Sequence, residues 1–225
     1  MLEAERERVA AAARRLAEEG LVLGTAGNIS QRAGDRIAVT PSGAALANLD
    51  PGDMVIVDLD GNRLEGHGAP TSELDLHLGV YRRYGAGAVV HMHAPFATAL
   101  ACVIDELPAV HYQLLALGGP IRVAPYATFG SPELAQLTLD ALQGRSAALM
   151  ANHGAIVHGR PRRGDGALAP AGVGLHGVLA RGRDRDAAGA RSRPVGGRGI
   201  GGRPPQLRRP ECRPAMIGCR RQTRR

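Results

Sequence analysis

The sequence predicts an α/β fold in which one sheet is covered by helices. Short apolar, β-branched runs alternate with helix-forming stretches through residues 1–159, the order expected when helices cover a sheet. Capping residues and Gly- or Pro-bearing turns separate these runs. The aromatic residues mark where the pattern ends: all 4 Tyr and both Phe lie before residue 130.

Residues 3–19 are strong helix formers, and Gly20 stands where a helix ends in a left-handed glycine. Leu21 to Gly34 reads as a Gly-rich loop running towards a strand. Residues 36–40 (RIAVT) and 53–59 (DMVIVDL) read as strands. Asp60-Gly61-Asn62 reads as a hairpin turn into RLEG. A helix opens at Pro70-Thr71-Ser72-Glu73-Leu74-Asp75, with Ser72 as N-cap and Asp75 at the capping-box position, and runs to Tyr84. Residues 88–93 (AVVHMH) form a short strand, 94–103 a helix and 121–124 a strand. Ser131-Pro132-Glu133 starts another helix with cap, proline and acid in order. Residues 146–159 hold the last strand pair.

Composition excludes several chemistries. All 28 basic residues are Arg, so a lysine imine, a pyridoxal phosphate anchor and a P-loop lysine are ruled out. Three Cys make no disulfide framework, which fits a reducing cytoplasm. No apolar run is long enough for a membrane span, and no signal-peptide core is present. The net charge of +7 suggests a nucleic acid until it is located. Residues 1–160 hold 12 Arg against 17 acids, and residues 161–225 hold 16 Arg against 4. The basic excess belongs to the end of the chain, so neither a nucleic-acid nor a membrane partner follows for the domain.

His91-Met92-His93 puts two imidazoles on one face of a strand. That spacing suits zinc or another transition metal, and it equally suits two core or surface histidines. His153 ends an apolar strand before a glycine and, alone, reads as a core histidine. Glu73, in the first turn of a helix, is equally a residue that complements the helix dipole. Together, three histidines and a carboxylate complete a tetrahedral set. His67, His77, His111 and His158 read as structural or exposed. Gly24-Thr25-Ala26-Gly27-Asn28, Thr40-Pro41-Ser42-Gly43 and Thr71-Ser72 each offer hydroxyls or N–H groups to an anion. Each also has an ordinary reading as a turn or cap.

GTAGNIS, TPSG, PTSELDLH, VVHMHAPFATAL, VHYQLLALGG, APYATFGSPELA and ANHG occur in this order. The set resembles the class II aldolase/adducin family, and within it the fuculose-phosphate branch, over residues 1–160. The resemblance implies a single three-layer α/β/α domain with a largely antiparallel central sheet, spanning 1–159. It implies a catalytic Zn²⁺ held by His91, His93, His153 and Glu73, with Glu73 leaving the metal to act as acid or base. Gly27, Asn28, Ser42, Gly43, Thr71 and Ser72 match the phosphate-binding positions. The family pattern has Ser-Ser where this chain has Thr71-Ser72, which keeps the hydroxyl. Tyr112 matches a tyrosine that helps protonate the aldehyde oxygen in a site built between subunits of a C4 homotetramer. The implied reaction cleaves a ketose 1-phosphate to dihydroxyacetone phosphate and a small aldehyde. A sugar-phosphate 4-epimerase, a methylthioribulose-phosphate dehydratase or an inactive member shares the scaffold.

The resemblance stops near Gly159. Residues 161–225 hold no aromatic, 13 Gly and 7 Pro, the composition of a coreless, disordered tail. Two readings follow: translation in a shifted frame of a GC-rich coding sequence, or a disordered basic tail that binds RNA or an acidic partner.

Overall fold

The computed structural model of the chain describes residues 1–159. The readings of the tail from residue 160 lie outside the described residues. Within them, α1 (Glu3–Glu18) ends as expected: Gly20, with φ +69°, donates to Ala17 and Leu21 donates to Leu16, which closes the helix's last carbonyls. The strands are β1 (Asn28–Ala33), β2 (Arg36–Val39), β3 (Val55–Asp58), β4 (Arg63–Glu65), β5 (Ala88–Met92), β6 (Glu106–Leu107), β7 (Ile121–Ala124), β8 (Ala147–Met150) and β9 (Gly154–Gly159). The remaining helices are α2 (Leu74–Tyr84), α3 (Pro95–Ala101), α4 (Gln113–Ala116) and α5 (Pro132–Ala141).

The nine strands form one sheet in the order β4-β3-β2-β1-β5-β9-β8-β7-β6. Every pair is antiparallel except β7 and β8. Two separate cores flank the sheet. Val9, Ala10 and Ala13 of α1 and Ala97 of α3 pack one face with Ile29, Met92 and Leu149. Leu76, Leu78 and Val80 of α2 and Leu134 of α5 pack the other with Val55, Val89 and Ile156. This is the expected three-layer α/β/α arrangement with a largely antiparallel sheet.

Turn chemistry closes as read at two places. The Asp58 carboxylate accepts from the backbone N–H groups of Asp60 and Asn62, fixing the β3–β4 turn. Ser131 caps α5 by accepting from the Leu134 N–H at 3.1 Å. Two expectations are corrected. β1 starts at Asn28, inside the segment read as a loop. The N-cap of α2 is Glu73, without a side-chain capping bond, and not Ser72. Thr71 takes that local role instead: its Oγ1 accepts the Glu73 N–H at 3.3 Å. The Glu73 side chain is thereby released towards the sheet.

Candidate metal and phosphate site

Three neighbouring strands end at one place. β1 begins with Asn28 directly opposite His91 of β5, and β5 pairs with β9 through Met92 and Ala155. His93 follows the last residue of β5. His153 closes the three-residue turn between β8 and β9, where Asn152 takes φ +54°, a conformation asparagine tolerates better than most residues. Glu73 reaches the same point from the start of α2.

His91 is fully buried and Glu73 is 6 % exposed. His91 Nε2 lies 2.9 Å from His93 Nε2 and 3.1 Å from Glu73 Oε2. His153 Nε2 lies 3.5 Å from Glu73 Oε1. The three histidine ligand atoms all fall within 4.8 Å of one another. Tetrahedral bonds of about 2.05 Å give edges near ~3.3 Å, which falls within this spread.

Protonation decides what these groups can do. His91 Nδ1 is 3.0 Å from the Ala155 carbonyl and must donate to it. Its Nε2 therefore carries a lone pair, aimed at a carboxylate and another imidazole. Glu73 Oε1 is buried and has no hydrogen-bond partner. His91 Nε2 and Glu73 Oε2 are then two acceptors 3.1 Å apart, an arrangement that is costly unless a cation joins them. Burial drives the His91 pKa down to about 3 against the pull of Glu73. Burial and His153 lower that of His93. Burial pushes the Glu73 carboxyl up, but His91, the Asn28 hydrogen bond and His153 outweigh it and hold it below its ordinary value. Neutral imidazoles beside an ionised carboxylate are the protonation states a divalent metal requires. The residues fit such an ion.

Above this floor opens a cleft of about 420 Å³, lined in part by Gly27, Asn28, Ser42, Gly43, Thr71 and Ser72. All six residues expected at a phosphate site are therefore brought together. An isolated bridge between Pro41 and Pro70 lays two of the loops side by side. Ser42 N donates to Ala69 and Thr71 N to Thr40. Those two N–H groups are used in stitching the loops, and the Thr71 hydroxyl accepts the Glu73 N–H. Gly27 is a glycine for steric reasons: at φ +83°, a Cβ there would stand 2.7 Å from Val22 Cγ1 and 3.0 Å from the His91 carbonyl. Asn28 is not simply an anion ligand, because its amide donates to Glu73 Oε2 at 2.9 Å.

Tyr112 is 72 % exposed and is not part of the cleft lining. Sequence reasoning missed Tyr126, Phe129 and Asn152 in the walls. The first two lie in the APYATFG motif. It also missed His77, which is fully buried and hydrogen-bonded to Asn28.

Residues 7–162 match the family model described as Class II Aldolase and Adducin N-terminal domain. The chain belongs to the class II aldolase and adducin family. A 5-methylthioribulose-1-phosphate/5-deoxyribulose-1-phosphate aldolase of Rhodospirillum rubrum is 48 % identical over 151 residues, covering 66 % of this chain and 68 % of that protein. An L-fuculose phosphate aldolase of Escherichia coli is 42 % identical over 139 residues, covering 61 % of this chain and 64 % of the relative. The chain thus spans about two thirds of the length of these relatives. A solved L-fuculose 1-phosphate aldolase structure superposes with a TM-score of 0.73 at 32 % identity, over 83 % of this chain and 88 % of that one. The named relatives are aldolases, and this family member carries a histidine group, His91, His93 and His153, that could hold a metal ion. Among the described residues, no helix is long and apolar enough to cross a membrane.

Proposed function

We propose that the chain is a zinc-dependent aldolase that cleaves a ketose 1-phosphate. The convergence of Glu73, His91, His93 and His153 on the floor of a cleft lined by Ser42, Thr71 and Ser72 supports this reading. In the reaction the bond between C3 and C4 breaks. The C4 hydroxyl loses its proton and C4 becomes the aldehyde carbon. The bonding pair stays with C3 as an enediolate, and C3 then takes up a proton to give dihydroxyacetone phosphate.

A chain without lysine has no imine to accept those electrons. A bound zinc would supply that sink as a Lewis acid. His91, His93 and His153 are the residues that would hold it. Glu73, ionised and buried, carries the proton. Hydroxyls of the cleft, with the start of α2 behind them, bind the phosphate and fix the sugar's orientation. Tyr126, Ala127 and Phe129 in the cleft lining suit an aldehyde with an apolar end. The name of the R. rubrum relative supports 5-deoxyribulose 1-phosphate and 5-methylthioribulose 1-phosphate as candidates beside fuculose 1-phosphate. Tyr112 would act in a neighbouring copy's cleft within a C4 homotetramer. Its exposure supports this, as does that of Val103, Val110 and Leu115 on the same segment.

The test is zinc content after purification, followed by dihydroxyacetone phosphate release from a panel of ketose 1-phosphates. Activity removed by a chelator and by His91→Ala is expected. Ser42→Ala with Ser72→Ala should raise KM. A zinc-loaded protein that cleaves none of the panel would end the aldolase reading.

A further inference from the structure

A chain of buried polar groups runs from the core of the sheet to Glu73. Tyr81 OH and His77 Nδ1 each lie 2.6 Å from Ser30 Oγ. His77 Nε2 is 2.5 Å from Asn28 Oδ1, and Asn28 Nδ2 donates to Glu73 Oε2 at 2.9 Å. Ser30 and His77 are fully buried, Tyr81 is 1 % exposed and Asn28 is 7 % exposed. Ser30 and Asn28 stand two apart on β1, so both face α2. His77 and Tyr81 stand four apart on α2, so both face β1. Sequence spacing on two elements thus builds one ladder of side chains.

The ladder has a single consistent direction. Glu73 is an acceptor only, so Asn28 must turn its NH₂ towards it and its Oδ1 towards His77. His77 must then donate from Nε2 and accept at Nδ1. Ser30 must give its one proton to His77 and accept from Tyr81. The ladder ends at the Tyr81 hydroxyl, which donates to Ser30 Oγ. Reversing any member would press the Asn28 carbonyl oxygen against the Glu73 carboxylate.

We propose that His77 is a positioning residue. Held as the Nε2–H tautomer by Ser30 and Tyr81, it locks the Asn28 amide so that this amide clamps Glu73 Oε2 beside His91 Nε2, with Oε1 turned towards His153 Nε2. The idea rests on the aldolase reading for its kinetic consequence only. The clamp exists whether or not the chain cleaves a sugar.

The direct test is ¹⁵N NMR of the histidine rings in the full chain, without metal and with zinc, at neutral pH. His77 should show a protonated Nε2 and an unprotonated Nδ1. An Nδ1–H tautomer or a doubly protonated ring refutes the proposal. The second test compares His77→Gln, whose amide can still donate to Asn28 from the Nε2 position, with His77→Asn, which cannot reach it. His77→Asn should weaken zinc affinity, read by chelator competition, and lower kcat about 10–100-fold with KM little changed. His77→Gln should recover most of both. Equal zinc affinity in wild type and His77→Asn refutes the clamp, as does an equal loss in the Asn and Gln variants. If no variant folds, the wild-type tautomer decides alone. An absence of sugar cleavage in the wild type, with the tautomer and zinc affinity as stated, refutes the aldolase reading and leaves the clamp standing.

Discussion

Gly154 opens β9 immediately after His153, and its missing side chain is a requirement of the site. A Cβ built there would stand 2.5 Å from the Met92 carbonyl oxygen, 3.1 Å from His93 Cδ2 and 3.3 Å from His91 Cε1. Ordinary contact begins at about 3.4 Å, so the β5–β9 pair would have to open by ~0.9 Å at the point that carries all three histidines. The nearest obstacle is backbone, which cannot swing aside as a side chain end can. Gly154→Ala should therefore cost ~1–3 kcal/mol of stability as overpacking, a fall in Tm of about 3–10 °C for a domain of this size. Spreading the histidines by that distance should also weaken zinc binding about 10–100-fold. Thermal melting with and without zinc measures the first effect and chelator competition the second. Gly52→Ala serves as control, because nothing lies within 4 Å of a Cβ there. Wild-type Tm and zinc affinity in Gly154→Ala would show that the strands yield freely and that the steric argument is wrong.

Metal-free protein should lose stability in acid. Burial drives the pKa of His77 to about 4 and that of His91 to about 3, whereas the unfolded chain takes up those protons near the ordinary value of about 6.5. The sign follows: stability is level above that value and falls as pH drops through 6.5 towards 4, by ~1.4 kcal/mol per unit for each ring. A metal-free Tm that stays flat from neutral pH to about pH 4.5 would contradict this. Arg6, 7 % exposed, donates to the Met54 carbonyl at 2.7 Å and pairs with Glu65 at 2.9 Å. Arg6→Met should cost ~1–3 kcal/mol by orphaning the buried carbonyl, while zinc affinity stays at the wild-type level because β3 and β4 lie away from the histidines. A matching loss of zinc affinity in that variant would show that the two regions are coupled.

Much of the site was legible because its signals are local. The spacing of His91 and His93, the glycine after His153 and the hydroxyl-bearing turns all read directly from the chain. β1 was not legible as a strand. Its Asn28, Ser30, Gln31 and Arg32 look like loop residues, since a buried polar face shows no apolar alternation. That face is polar because it meets His77 and Tyr81 across α2, a pairing between residues 47 and 51 positions apart. The capping residue of α2 was misplaced for a related reason. Local rules favour Ser72, but tertiary contacts draw Glu73 into the sheet and leave Thr71 to hold its N–H.

The sequence by itself determined which chemistries were open. Without lysine an aldolase of this chain has no imine route, and three histidines with one carboxylate could supply a metal's ligands. It also determined the alternation of elements that builds a covered sheet, because periodicity and caps are properties of neighbouring residues. Only the tertiary structure decided that the ends of β1, β5 and β9 meet at one point. Only it showed that Asn28 serves Glu73, and that His77 stands behind both. Those facts depend on register between strands and on a helix packed across them, and no run of consecutive residues encodes such distances.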